Sequence, residues 1–427
     1  MKKFFLFMAL ALSLMTGQAA GNQNDSIICH ISGTVVDRPD SKYAILLEAG
    51  KDFRTSPCIP IPIVDGKFAY TLKDDMPRVY NLTFDDDYGK GMWKTRSFFT
   101  GNGYVEFSCG DNKVDKIEPF KSDLDDNILY LKIEETLDNR YANQLETVNA
   151  QISPLFDNDS AYTPEVQSLL KQIESTESDE EKDKLKDLFF QYQNGPKENL
   201  YSKEYLDLEK KAYEIIWSRD SLKRIMISDT PNLVGLHYIK TALLSNNESW
   251  EDIPGYIELF ETLYKDNMKD HPYTKEIIEM IEARDVKAGN KYPDYKVTRE
   301  DGSTEQISSL IKGDVAVIDL WASWCSPCRR HSIELIPLYE KYKDKGFKVV
   351  AIAREGGDCK AMNVAMEKDG YPWESFVDLN DRDKVWRINR AGNSGGKIIL
   401  VDSNGVIVGT DMPIQEILEF LEKKYGK

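Results

Sequence analysis

Short apolar segments separated by polar turns fill residues 21–120, and their spacing predicts strands rather than helices. Alternating or β-branched apolar residues predict strands at 31–36, 43–47, 67–72, 80–84 and 104–109. Turn sequences such as Asp65-Gly66 and Gly101-Asn102-Gly103 fall between them. Short strands at regular spacing predict an N-terminal antiparallel β-domain, either a sandwich or a barrel.

The pattern changes over residues 121–285, where longer segments rich in Leu, Glu, Lys and Tyr predict a central α-helical region. Thr163-Pro164-Glu165 has the residue types of a helix start, because a hydroxyl can cap free N–H groups and proline suits the first helical position. Residues 174–187 are almost wholly polar or charged. Such a stretch fits either a solvated helix face or a flexible link.

Strands and helices alternate over residues 286–427, which predicts a C-terminal α/β domain with a central mixed sheet. Strands are predicted at 315–320 and 347–353, helices at 329–343, 359–368 and 414–424, and hairpins around Asp301-Gly302 and Asp402-Ser403-Asn404-Gly405. The chain is therefore predicted to be multidomain, with a β-domain, a helical region and an α/β domain in that order.

The sequence Trp321-Ala322-Ser323-Trp324-Cys325-Ser326-Pro327-Cys328 lies at the turn from strand 315–320 to helix 329–343. Free backbone N–H groups and the positive end of the helix dipole stabilise an anion there, so we expect the Cys325 thiolate to be favoured. Pro327 suits the first turn of the helix, where an N–H has no intrahelical partner to lose. Two intervening residues let the sulfurs of Cys325 and Cys328 cycle between dithiol and disulfide.

Zinc binding and a purely structural disulfide are the alternatives for the cysteine pair. A C-x-x-C pair is also half of a zinc site, but no second such pair or closely spaced Cys/His pair follows. A structural disulfide gains little chain entropy across so short a loop. The pattern favours a redox-active pair and predicts neither a metal nor a cofactor.

The stretch from Asp319 to Arg329 resembles the active-site sequence of thioredoxins, and in particular of the extracytoplasmic TlpA/ResA-type thiol-disulfide oxidoreductases. The resemblance covers the chain from about residue 286 and implies a thioredoxin fold. It implies that Cys325 is the attacking thiolate and Cys328 the resolving thiol; we expect Cys325 to be the more exposed. Residues 21–120 resemble, in pattern only, a small β-domain of unknown function that often precedes such domains.

The same resemblance suggests roles for two neighbouring residues. Asp319 matches the buried acid that exchanges a proton with the resolving cysteine, although a carboxylate bonded to backbone at a strand end is an alternative. Trp324 matches the tryptophan that shapes the substrate surface.

Three positions depart from the family pattern. Ser326 replaces the usual glycine inside the C-x-x-C motif, where residues such as Ser326 and Pro327 tune the potential. His331 stands where ResA-type proteins typically carry a glutamate, and its charge could favour the thiolate, or it could be a plain surface residue. Gly395-Gly396 precedes the strand predicted at 397–401, and Gly396 takes the place of the family's cis-proline, which shapes substrate docking. Glycine allows unusual backbone angles but does not enforce them.

Residues 1–20 have the pattern of a cleavable signal peptide, with Lys2 and Lys3 before an apolar run and small residues at its end. The formal charge of −17 makes the chain a poor candidate for binding nucleic acid. We therefore expect an exported, periplasmic protein without a membrane span. Three early cysteines are open to disulfide formation, Cys58 with Cys109 being the expected pair, or all three are small buried residues.

Three functions remain as hypotheses. The first is a periplasmic thiol-disulfide oxidoreductase that exchanges disulfides with cysteine-containing exported proteins and receives electrons from a membrane donor if it acts as a reductant. The second is an exported binding or scaffold protein whose thioredoxin-like domain is not catalytic. The third is a thiol peroxidase, which Ala322 disfavours because peroxiredoxins require threonine there.

Overall fold

The computed structural model describes residues 26–89, 95–110, 120–244, 253–393 and 395–426. The predicted signal peptide at 1–20 lies outside these ranges. Within them, no helix is long and apolar enough to cross a membrane.

The N-terminal part contains two four-stranded sheets, with strand orders β4-β1-β7-β8 and β3-β2-β5-β6. The strands are β1 (Ile27–Val35), β2 (Tyr43–Glu48), β3 (Ile59–Pro62), β4 (Lys67–Asp74), β5 (Val79–Phe84), β6 (Arg96–Phe99), β7 (Gly103–Cys109) and β8 (Lys121–Ser122), with helix α1 (Asp85–Gly89) after β5. All five strands predicted from the sequence are present. Strands β3, β6 and β8 were not predicted, and two prolines in β3 are tolerated because it is an edge strand.

The two sheets pack face to face as a sandwich. Alternate residues of β1 are buried, and Phe98 of one sheet meets Phe107 of the other edge-on, with ring centroids 5.3 Å apart. The prediction of an antiparallel domain is wrong for one pair, because β1 and β7 run parallel. More than sixty residues separate them, enough chain for a crossover that a hairpin could not provide.

The central region is helical, as predicted. Its helices are α2 (Asp125–Asp157), α3 (Pro164–Ser175), α4 (Asp179–Asn194), α5 (Lys197–Leu200), α6 (Lys203–Met226), α7 (Leu233–Leu244), α8 (Ile253–Leu259), α9 (Lys265–Asn267) and α10 (Pro272–Glu282). Pro164 occupies the first position of α3, as predicted. The charged stretch 174–187 lies mostly on α4, whose described side chains are not buried, so the solvated-face alternative is the observed one.

One hydrophobic core crosses the boundary predicted at residue 120. It contains sheet residues such as Phe99 and Val105 together with Tyr130 of α2 and Ile239 of α7. Asn127 of α2 is fully buried and ties the helix to strand β6: its Oδ1 accepts from the N–H of Phe99 at 2.8 Å, and its Nδ2 donates to the Phe99 carbonyl at 2.8 Å. The β-domain and the helical region therefore share a core.

The C-terminal part, here called the redox domain, has a five-stranded sheet with the order β13-β12-β11-β14-β15. Its elements are β9 (Lys296–Thr298), β10 (Thr304–Gln306), α11 (Ile307–Ile311), β11 (Val315–Trp321), α12 (Ser326–Tyr342), β12 (Phe347–Glu355), α13 (Lys360–Asp369), β13 (Ser375–Leu379), α14 (Val385–Ile388), β14 (Lys397–Val401), β15 (Ile407–Thr410) and α15 (Ile414–Tyr425). Strands β11, β12 and β13 are parallel, whereas β14 and β15 are antiparallel to their neighbours. This is the predicted mixed sheet.

The predicted pairing of Cys58 with Cys109 is wrong. Cys58 has a free thiol in the loop before β3, whereas Cys109 ends β7 in the other sheet. Cys29 and Cys109 are buried among apolar side chains, so they pack as small hydrophobic residues.

We predict that Asn127→Ala lowers the free energy of unfolding by about 2–4 kcal/mol, because the N–H and carbonyl of Phe99 would lose their buried partners. Urea unfolding followed by circular dichroism measures this. Asn143→Ala, at an exposed position of the same helix, is the control and should cost far less. An equal loss for both variants would contradict the bridging role of Asn127.

Candidate active site

The cysteine pair lies where strand β11 ends and helix α12 begins, as predicted. Cys325 caps the helix: its Sγ accepts from the backbone N–H of Cys328 at 3.3 Å, and the two sulfurs form a disulfide. Ser326 and Pro327 fill the exposed first turn between them. The expectation that Cys325 is the more exposed is wrong, since Cys325 is 4% and Cys328 7% exposed. Both residues belong to the core of the redox domain, which covers them almost equally.

Asp319 is buried in the centre of strand β11, six residues before Cys325. Burial raises the pKa of Asp319 to about 7, against the opposing effect of a hydrogen bond from Ser332. The Ser332 hydroxyl donates to Oδ2 of Asp319 at 2.6 Å. A carboxyl group that titrates near neutral pH can both accept and return a proton under ordinary conditions.

Gly396 brings its backbone against the cysteine pair. Its N–H donates to Sγ of Cys328 at 3.1 Å, and a Cβ at this position would overlap the carbonyl oxygen of Leu320. Proline, which the resemblance would place here, has no N–H to donate. Glycine therefore supplies a hydrogen bond to the sulfur of Cys328 that proline could not make.

A cleft of about 120 Å³ joins most of the predicted site residues. Its lining includes Asp319, Cys325, Pro327, Cys328, His331, Gly395 and Gly396. His331 is an exposed side chain at its edge. Trp324 and Ser326 do not line the cleft, although they adjoin Cys325 in the chain. In the part of the chain that the structure describes, no group of three or more His, Cys, Asp or Glu side chains is placed to hold a metal ion.

The sequence analysis missed two interactions of the active-site turn, namely the hydrogen bonds that Glu355 accepts and the ion pair that Arg329 makes. Glu355, at the end of β12, accepts from the backbone N–H of Ser323 at 2.6 Å and from its hydroxyl at 2.8 Å. Arg329 makes a bidentate pair with Asp369, with both N–O distances 2.7 Å. Glu355 sits in an apolar strand much as Asp319 does, so a buried acid was a usable signal. No local sequence pattern predicts the ion pair between Arg329 and Asp369.

Trp324 is covered by side chains distant in sequence. The guanidinium of Arg54, from the loop between β2 and β3, lies 3.6 Å from the centre of the Trp324 ring system, and Trp386 packs with ring centroids 5.8 Å away. Trp321 is fully buried. The β-domain thus contributes directly to the surroundings of the cysteine pair.

We predict that Asp319→Asn stabilises the protein in a pH-dependent way. The pKa of Asp319 is about 7 in the folded protein and about 3.9 in an unfolded chain. Ionisation therefore opposes folding as the pH rises between these values, and below about pH 4 the cost disappears. Urea unfolding should show a gain of about 2–4 kcal/mol at pH 8 and little change at pH 4.

The variant Asp344→Asn is the control for that experiment, because the carboxylate that it removes is exposed rather than buried. A gain of the same size for Asp319→Asn at both pH values would show that the carboxyl group is not protonated by burial.

We predict opposite results at the two adjacent glycines. Gly396→Ala should lower the free energy of unfolding by about 1–3 kcal/mol, because the added methyl group meets the Leu320 carbonyl. Gly395→Ala should be nearly neutral, since nothing lies within 4 Å of a Cβ there. Denaturant unfolding of both variants measures the difference, and equal stabilities would contradict the close approach at Gly396.

Comparison with known proteins finds similarity in the C-terminal part of the chain, which contains the cysteine pair. Residues 287–414 match the family model described as Redoxin. The thiol-disulfide oxidoreductase ResA of Oceanobacillus iheyensis is 34% identical over 74 residues, which is 16% of this chain and 38% of that protein. ResA of Geobacillus kaustophilus is 27% identical over 143 residues, covering 32% of this chain and 78% of that protein. The chain thus spans less than half the length of some curated relatives that it matches.

Two solved structures are also similar to the C-terminal part. The thioredoxin domain of a Bacteroides vulgatus thiol-disulfide oxidoreductase has 24% identity and a TM-score of 0.29, covering 32% of this chain and 97% of that one. A thiol:disulfide interchange protein from Bacteroides sp. has 24% identity and a TM-score of 0.30, covering 33% of this chain and 91% of that one. Residues 287–414 are therefore similar to the Redoxin family and to the ResA thiol-disulfide oxidoreductases.

Proposed function

We propose that the protein is a thiol-disulfide oxidoreductase that exchanges disulfides with protein substrates through Cys325 and Cys328. The observation that carries the proposal is the joint position of the disulfide, the Asp319 carboxyl group and the Gly396 N–H around one cleft. A structural disulfide would need neither a buried acid nor a donor directed at its sulfur.

The reducing direction runs in two exchanges. The Cys325 thiolate attacks one sulfur of a substrate disulfide, so that a mixed disulfide forms and the other substrate sulfur leaves as a thiolate. Asp319 accepts the proton of Cys328, and the Cys328 thiolate then attacks Sγ of Cys325. The substrate leaves with two thiols after protonation, and the Cys325–Cys328 disulfide has taken up the oxidising equivalents. The oxidising direction is the reverse.

Residues of the turn have supporting roles in this proposal. The first turn of α12 favours the Cys325 thiolate, because its N–H groups point towards an anion. The Gly396 N–H stabilises negative charge on Cys328 before the second exchange. Ser326, Pro327 and His331 tune the potential, whereas Trp324, Gly395 and Gly396 form the docking surface for substrate.

The setting is also part of the proposal. After removal of the signal peptide at residues 1–20, the protein acts in the periplasm on cysteine-containing exported proteins. Because that compartment is kept oxidising, a reductant needs a continuing supply of electrons, for which we propose a membrane donor. A second candidate is a non-catalytic binding or scaffold protein, which the burial of both cysteines favours.

We predict that the purified protein reduces insulin in the presence of dithiothreitol, and that Cys325→Ser and Cys328→Ser abolish this activity. Only Cys328→Ser should accumulate a mixed disulfide with substrate, because it keeps the attacking thiol and lacks the resolving one. Turbidity and non-reducing gels measure the two effects. Cys359→Ser is the matched control in the same domain and should stay active. If the wild-type protein is inactive, the oxidoreductase proposal is wrong and the scaffold function takes its place.

The equilibrium reduction potential of the pair then decides the direction. A value near or below about −250 mV places the protein with the thioredoxin-like reductants, whereas about −120 to −180 mV places it with oxidants and isomerases.

A further inference from the structure

The loop between β2 and β3 reaches from the β-domain to the redox site. We call residues 52–56 the docking loop. Asp52 organises it, because its carboxylate accepts from the backbone N–H of Arg54 at 2.9 Å and from the Arg54 guanidinium at 2.8 and 2.6 Å. Asp52 is itself buried, at 5% exposure. The conformation of Arg54 is therefore fixed by its own loop.

A buried arginine of the redox domain anchors the docking loop. Arg354, at the end of β12, makes a bidentate pair with Asp381 at 2.5 and 2.6 Å and contacts Asp52 at 3.4 Å and Thr55 at 3.3 Å. Burial would raise the pKa of Asp52, but the hydrogen bonds of Arg54 and the charge of Arg354 outweigh it and lower the pKa. The docking loop is thus held against the redox domain by hydrogen bonds that involve charged side chains.

The backbones of the two domains also touch at this point. A Cβ on Gly356 would overlap the carbonyl oxygen of Arg54, so the chain segments meet at a distance that only glycine permits. The hydroxyl of Thr55 donates to Asp381 at 2.6 Å. Together these contacts hold the docking loop in one position beside the active-site turn.

From that position Arg54 covers Trp324, which is part of the proposed docking surface, and bonds the segment that leads to Gly395 and Gly396. Its guanidinium stacks on Trp324, and its Nη2 donates to the backbone carbonyl of Asn393 at 2.5 Å. Asn393 lies three residues before Gly396, on the segment that leads to the cysteine pair. A backbone carbonyl that bonds Arg54 is not available to an approaching substrate chain.

We propose that Arg54 is a specificity-determining residue of the redox site, restricting the access of bulky disulfides while leaving small ones free to react. The proposal rests on the function proposed above. The cleft beside Cys325 and Cys328 is lined by residues of the redox domain, so a small molecule enters without touching Arg54. A folded protein substrate must also contact the ring of Trp324, and to do so it has to displace the guanidinium of Arg54.

The test compares two reagents with the same reactive group and different size. After reduction, alkylation of the pair by N-ethylmaleimide and by a 5-kDa polyethylene glycol maleimide is followed as loss of the unmodified peptide containing Cys325 and Cys328. We expect Arg54→Ala to raise the ratio of the bulky to the small reagent's rate by about fivefold to thirtyfold. That range corresponds to about 1–2 kcal/mol.

Arg299→Ala is the matched control. Arg299 has nearly the same side-chain exposure as Arg54, 32% against 31%, and also lies over an aromatic ring, that of Phe376. Its substitution should leave the ratio unchanged. Arg54→Gln keeps a donor for the Asn393 carbonyl but loses the charge, so its ratio should fall between wild type and Arg54→Ala. If Arg54→Ala does not fold, the comparison of Arg54→Gln with wild type provides the test.

Enzyme kinetics provide a second readout. Arg54→Ala should raise kcat/KM for insulin relative to that for oxidised glutathione, by a similar factor. An unchanged alkylation ratio, or a fall in the insulin preference, overturns the proposal. If no variant reduces either disulfide while the alkylation ratio still rises, the shielding by Arg54 stands and the proposed enzymatic function fails.

Discussion

The complete burial of strand β11 is the constraint on which the redox domain depends. All seven of its residues are buried, and parallel β12 and antiparallel β14 flank its two edges within the sheet. A strand in that position cannot shift its register without exposing apolar side chains or burying unpaired backbone groups. The strand therefore holds the Asp319 carboxyl inside the protein and delivers Cys325 to the start of α12 at a fixed point. The raised pKa of Asp319 and the position of Cys325 as the cap of helix α12 both result from this packing.

Much of this domain could be predicted from sequence, because its signals are local. The apolar run at 315–320 and the helical spacing after Cys328 locate the strand-to-helix turn, and an acid in that run marks Asp319 as unusual. The relative exposure of Cys325 and Cys328 could not be predicted in this way. Exposure depends on what packs over the turn, and those residues come from distant parts of the chain.

Arg54 and Arg354 show the same limit more sharply. Arg54 stands in an ordinary polar loop and Arg354 ends an apolar strand, so nothing nearby in sequence suggests that Arg354 reaches Asp52 or that Arg54 covers Trp324. Those two contacts exist only because two domains meet there. The parallel pairing of β1 with β7 was missed for a related reason, since alternation predicts a strand but not its partner. Gly396, by contrast, was singled out from sequence, but its N–H bond to Cys328 required the structure.

The parallel pair β1–β7 has a consequence for how the chain acquires its structure. In that pair Cys29 lies opposite Gly103, so seventy-four positions separate residues that must meet. Closing so long a loop costs entropy before any contact is gained, and topologies rich in such contacts fold slowly. Strand β1 can pair early with β4, where Thr34 faces Lys67, but its other edge stays open until β7 arrives. Until β7 pairs with β1, the unpaired N–H and C=O groups of this edge can bond another strand, so the incompletely folded chain is the form most exposed to aggregation.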